Sequence, residues 1–121
     1  MKIFLVKFDL FSSSMIKFAL NLNYMKHLYI TALFHFKENN LMDAIELLKK
    51  LVFETRKEVG CIQYDLVEDI ENKGIFFITE IWESVEHHHQ HNGTEHLMIF
   101  RQESSRMLEK SVEVYKGFKT F

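Results

Sequence analysis

Glu80 and Trp82 stand two residues apart in the run Phe-Ile-Thr-Glu-Ile-Trp-Glu-Ser, and His87, His88, His89, His91 and His96 follow it closely. A carboxylate, an indole and several imidazoles so near one another can supply a base, a stacking surface and hydrogen-bonding groups to a single cavity. An imidazole titrates near neutrality and can accept a phenolic proton. A carboxylate buried among aromatic rings is driven toward its protonated form unless a cation or a donor compensates. Glu80 therefore reads either as a general base or orienter of an imidazole, or as a buried carboxylate tying helix ends to the sheet. Trp82 reads as a wall that stacks on a planar ligand or as plain core. His87 and His91 are i,i+4, and His88 and His91 are i,i+3, spacings that suit metal chelation. With no third convergent ligand evident, a solvated helix face is the expectation for His87, His88 and His89, and no resident metal is expected.

The elements that must carry these residues can be read from periodicity. His27 to Phe36 alternates with period two, one face wholly apolar (Leu28, Ile30, Ala32, Phe34, Phe36) and the other mixed. Asn39-Asn40 supplies a helix N-cap, and Leu41 to Lys57 carries apolar residues at helical spacing until Gly60 ends the element. Cys61 to Glu68 is a strand with Ile62, Tyr64 and Leu66 expected on one face. A turn over Glu71-Asn72-Lys73-Gly74 leads to a strand from Ile75 to Glu83 with two largely apolar faces, the mark of a central strand covered on both sides. Ser84 caps a short helix to about His91, a second runs from Gly93-Thr94 to about Lys110, and a last strand spans Ser111 to Phe118. The order β-α-β-β-α-β is that of an α+β, ferredoxin-like split βαβ fold: a four-stranded antiparallel sheet with helices on one face. The other face would be bare and apolar, and a homodimer joined through the sheets is expected. Tyr64 and His35 point either into the cavity or toward that dimer side.

Composition narrows the function classes. At 121 residues the chain suits one domain with one core. A formal charge of −2 offers no basic surface for nucleic acid. The lone Cys61, at a strand start after Gly60, reads as a small buried hydrophobe in a reducing, cytoplasmic setting. There is no proline, and Gly60, Gly74, Gly93 and Gly117 fall where elements should end. Residues 1–26 are apolar and aromatic but interrupted by Lys7, Asp9 and Lys17, so no transmembrane segment or clear secretory signal is expected. They read as an N-terminal extension, with Met15 and Met25 as alternative starts, or as a membrane-associating or dimer-swapping arm; residues 27–121 form the domain.

Thr55-Arg56, Glu58-Val59-Gly60-Cys61-Ile62-Gln63-Tyr64, Glu80-Ile81-Trp82-Glu83-Ser84, His91 and His96-Leu97 together resemble the antibiotic biosynthesis monooxygenase family of dimeric α+β barrels, over roughly Leu28 to Phe118. The loop Lys37-Glu38-Asn39-Asn40 departs from the family pattern in lacking glycine and proline. That family includes cofactor-independent quinol monooxygenases, haem-degrading enzymes and an isomerase of a phosphorylated signalling sugar, so fold alone names no substrate. The resemblance implies a homodimer that oxidises a small hydroxyaromatic or quinol-type substrate with O₂ and needs no cofactor. His91 or His96 would take the proton and Glu80 would fix the imidazole. Trp82, Phe76, Ile78 and Tyr64 would line the substrate site. The alternatives are a haem-binding and haem-degrading monooxygenase with a histidine ligand, and a non-catalytic dimeric binding module.

Overall fold

The computed structural model describes residues 26–121, so the extension expected over 1–26 lies outside the described residues except for Lys26. Strands β1 (Leu28–His35), β2 (Cys61–Glu68), β3 (Ile75–Trp82) and β4 (Glu113–Phe118) form one antiparallel sheet in the order β2-β3-β1-β4. Helices α1 (Leu41–Thr55), α2 (Val85–Asn92) and α3 (Glu95–Ser104) complete it, with 3₁₀ turns at Glu38–Asn40 and Ser105–Met107. This is the expected ferredoxin-like α+β arrangement. Among the described residues, no helix is long and apolar enough to cross a membrane.

Alternation places Leu28, Ile30, Ala32 and Phe34 opposite Trp82, Glu80, Ile78 and Phe76, and all eight side chains are buried. Ala44, Leu48, Leu51 and Val52 of α1 close over this face. The core is thus a sheet face under an amphipathic helix, the arrangement that removes most apolar area per residue ordered. The opposite face carries Tyr29, Leu33, Val67, Ile75, Phe77 and Ile81, all only half-buried, together with His35.

Four local details differ from the periodicity. Asn40 makes no side-chain cap bond, because a 3₁₀ turn already feeds the chain into α1. A β-bulge lies between Cys61 and Gln63: Cys61 pairs with Trp82 and Gln63 with Ile81, so Ile62 is the extra residue and is half-exposed instead of joining Tyr64. The last helix stops at Ser104 and tightens into 3₁₀ geometry, short of Lys110. β4 begins at Glu113, two residues after the expected start.

The segment between α1 and β2 is held unusually firmly for a loop. The Glu58 N–H donates to the Thr55 carbonyl at 2.9 Å, Cys61 N–H to the Glu58 carbonyl at 3.2 Å, and Glu83 N–H to the Gly60 carbonyl at 2.8 Å. Arg56 clamps it to β2 through Nε to the Tyr64 carbonyl and Nη2 to Asp65, each at 3.0 Å. Gly60 adopts φ +86°, and a Cβ there would clash with the Cβ, Cγ and Cδ2 atoms of the His87 side chain. His87 is itself held by Ser84, which caps α2 by accepting the His87 N–H at 3.2 Å and lies 2.7 Å from its Nδ1. Replacing Gly60 with alanine is expected to cost about 2 kcal/mol or more, from left-handed backbone plus the clash. Gly93→Ala, whose Cβ would meet only ordinary contacts, is expected to stay within about 0.5 kcal/mol of wild type. Urea unfolding of the two variants checks this.

Candidate functional site

A cavity of about 370 Å³ opens between the sheet and the helices. Its floor is the sheet: Tyr64 of β2, Glu80 of β3 and Lys116 of β4 lie in one cross-strand row with Ile30, and Ala32, Phe34 and Val114 lie beside it. Leu97, Phe100 and Arg101 of α3 and His88, His91 and Asn92 of α2 form the other walls. Phe34 and Phe100 meet edge to face with centroids 5.8 Å apart, giving an aromatic corner.

The centre of the site is an arrangement that residue spacing did not foretell. Glu58 Oε2 lies 2.6 Å from His91 Nδ1 and 2.7 Å from His96 Nε2. A carboxylate has only lone pairs to offer, so each of those ring nitrogens donates its N–H to it. His91 is thereby set as the Nδ1–H tautomer, with its lone pair on Nε2. His91 is almost fully buried, and the burial lowers its pKa more than the Glu58 hydrogen bond and charge raise it; His96 and Arg101 lower it further. Desolvation wins, and His91 is a neutral imidazole at pH 7 whose free nitrogen is a base.

The sequence reading assigned Glu80 the orienting of an imidazole, but the carboxylate on His91 is Glu58. Glu80 accepts the Trp82 indole N–H at 2.8 Å. Burial pushes its carboxyl up to about 7, against the Trp82 hydrogen bond; the Glu58 charge adds to the rise and Lys116 opposes it. Trp82, in turn, stands behind His91 with ring centroids 4.7 Å apart, and Tyr64 meets the same imidazole at 5.6 Å. The Tyr64 phenol is driven upward, first by burial and then by the Glu80 charge, so it stays protonated.

The residues singled out from sequence therefore separate into two groups. His91, Glu80 and Tyr64 line the cavity, whereas Trp82, Phe76 and Ile78 are fully buried beneath it and His96 stands behind Glu58. His88 is not on a solvated face: it is buried, lines the cavity, and has its pKa pushed down to about 4, chiefly by desolvation. His89 is exposed and His87 half-buried. His35 lies on the bare face of the sheet. Cys61 is half-buried with its thiol raised to about 11, mainly by desolvation, the state of a small hydrophobe rather than a nucleophile.

Periodicity had no means of finding Glu58, which lies in a loop. Its position inside the junction Glu58-Val59-Gly60 was its only sequence signal. The Glu58, His91 and His96 ligand atoms lie within 4.8 Å of one another, a donor set that divalent transition metals accept. Their contacts of 2.6 and 2.7 Å are hydrogen bonds, shorter than the separation of about 3 Å that metal bonds of about 2.1 Å impose on neighbouring ligands.

The family model described as antibiotic biosynthesis monooxygenase matches residues 28–118. Among solved structures, a conserved protein from Methanosarcina mazei Go1 is 27% identical with a TM-score of 0.76, over 82% of this chain and 98% of that one. A conserved protein from Bacteroides thetaiotaomicron VPI-5482 is 25% identical with a TM-score of 0.73, over 78% and 99%. A structure named antibiotic biosynthesis monooxygenase is 24% identical and shares the fold at a TM-score of 0.75, over 78% and 99%. No curated protein matches the chain. With the family model spanning nearly all of the described fold, this chain belongs to the antibiotic biosynthesis monooxygenase family.

Proposed function

We propose that the chain is a cofactor-independent monooxygenase that oxidises a small hydroxyaromatic, quinol-type ring with O₂. The observation that carries this reading is the Glu58–His91 pair: a buried neutral imidazole, its tautomer set by a carboxylate, on the wall of a cavity that Phe34 and Phe100 also line. An electron-rich phenol becomes a reductant of O₂ once it loses its proton. The protein then need supply only a base, a dry pocket and fixed donors. His91 Nε2 accepts the hydroxyl proton, and Glu58 stabilises the imidazolium that results. Phe34 and Phe100 flank the ring. The aromatic substrate provides both electron pairs that O₂ takes up; one oxygen atom enters the ring as a quinone carbonyl and the other leaves as water. No outside reductant is consumed.

His96 holds the same Glu58 oxygen that His91 does, and Glu80 holds Trp82 against His91. These are positioning roles. A homodimer through the half-buried apolar sheet face, and a cytoplasmic setting, belong to the same reading. Phe77→Glu on that face is expected to convert a species of two chains into one, as read by light scattering.

Oxygen uptake with a naphthohydroquinone under air tests the chemistry. Loss of the base in His91→Ala is expected to lower kcat by about 10²–10⁴, and Glu58→Gln by about 10². Glu80→Gln still accepts the Trp82 N–H and should lose less than about tenfold. Turnover unchanged in both His91→Ala and Glu58→Gln would remove the assignment. A Soret band after hemin addition, together with loss of that band in His91→Ala, would favour the haem-degrading alternative instead.

The pH profile carries a sign. Because burial lowers the His91 pKa, the base stays unprotonated to below the ordinary histidine range, and kcat/KM should fall only as pH drops beneath about 6.5. Glu80→Gln should keep this acid limb, since it belongs to His91. A limb that vanishes in Glu80→Gln would assign it to the carboxyl.

A further inference from the structure

Two cationic side chains reach the cavity, Arg101 from α3 and Lys116 from β4. Among the described residues, neither forms an ion pair, whereas Lys49, Arg56, Lys57, Lys73 and Lys110 all do. Glu80 is the single acidic side chain among the lining residues, and its one hydrogen bond goes to Trp82. Lys116 sits in the same cross-strand row as Glu80, two strands away. Both cations are felt inside the site: each depresses the pKa of His88, and Lys116 lowers that of Glu80. His88 and His91 are held neutral and add no positive charge, and the buried Glu80, its carboxyl pushed up to about 7, is the one lining acid set against the two cations. A cleft that holds an aromatic corner and two cations against a single, largely desolvated acid selects a ring that carries a negative group.

We infer that the substrate of this site is an anionic hydroxyaromatic, a planar ring bearing a carboxylate or phosphate that Arg101 and Lys116 receive while the ring lies against Phe34 and Phe100. This rests on the oxygenase reading and adds the substrate's charge to it. Arg101 offers a planar fork that matches either oxyanion in two-point contact, and Lys116 a point charge.

Calorimetric titration with 1-hydroxy-2-naphthoate, 1-naphthyl phosphate and neutral 1-naphthol tests the inference without requiring turnover. The wild-type chain is expected to bind at least one anionic ring about tenfold tighter than the neutral one, the size that two partly exposed charge contacts supply. The preference should collapse in about 1 M salt, where the Debye length is about 3 Å. The double variant Arg101→Gln, Lys116→Gln should bind anionic and neutral rings alike. Lys73→Gln, which removes a charge at the far end of the sheet, should retain the preference. Comparing the two anions tells carboxylate from phosphate. Equal binding of all three rings by wild type, or a preference that survives the double variant, overturns the inference. Preferential binding of an anionic ring, with no oxygen uptake by any hydroxyaromatic including the naphthohydroquinone, keeps the site's preference for an anionic ring and removes the oxygenase reading. Absence of binding by any ring removes both.

Discussion

One carboxylate oxygen, Glu58 Oε2, receives N–H groups from two imidazoles that approach it from different helices. Most of the site's chemistry follows from that convergence. Hydrogen bonds to a charged acceptor are worth about 1.5–3 kcal/mol each, enough to dictate which nitrogen of His91 carries the proton. They are not enough to keep His91 charged, because its burial costs more than the pair returns. The outcome is a base that is oriented but left unprotonated.

The scaffold explains how Glu58 can be placed with such accuracy although it lies in a loop. Three backbone hydrogen bonds, the Arg56 clamp and the left-handed turn at Gly60 fasten the loop to α1, β2 and the end of β3. His87, capped by Ser84, fills the space that a side chain at Gly60 would need. The start of α2 is therefore packed on the same turn that presents Glu58, and His91 lies one turn further along that helix. Moving the loop would move the acid and the imidazole together. Trp82 adds a rigid backing: its N–H is satisfied by Glu80, and its ring lies against His91.

Glu80 shows how one residue can satisfy two opposed demands. Burial under the helices holds its carboxyl near neutrality, while the indole N–H and Lys116 favour ionisation. It is thus a group that occupies a catalytic-looking position and spends its hydrogen bond on architecture. The histidine run has the same lesson. His87, His88, His89 and His91 are nearly contiguous in sequence, yet a helix turns successive residues by about 100°, and each meets a different environment: the cap, the cavity, solvent and the Glu58 carboxylate.

The element order, the apolar faces of β1 and β3, the helix α1 and the capping role of Ser84 were all legible in the residues, since these depend on periods of two and 3.6 and on local hydrogen bonding. The residues also carried the junction and strand signatures that mark the family. Alternation put Glu80 and Trp82 on one strand face but left Tyr64 open between the cavity and the dimer side, and register with the buried row of β1 and β3 places all three on the helix-covered face. The partners of these side chains came from the packing of the elements on one another. The bulge at Ile62, the exchange of Glu80 for Glu58 as the acid beside His91, the burial of His88, and the arrival of Arg101 and Lys116 at one cavity all depend on residues from different elements. Such contacts depend on the angle and depth at which α2 and α3 settle on the sheet. That geometry is set by packing over the whole core, which no local spacing encodes.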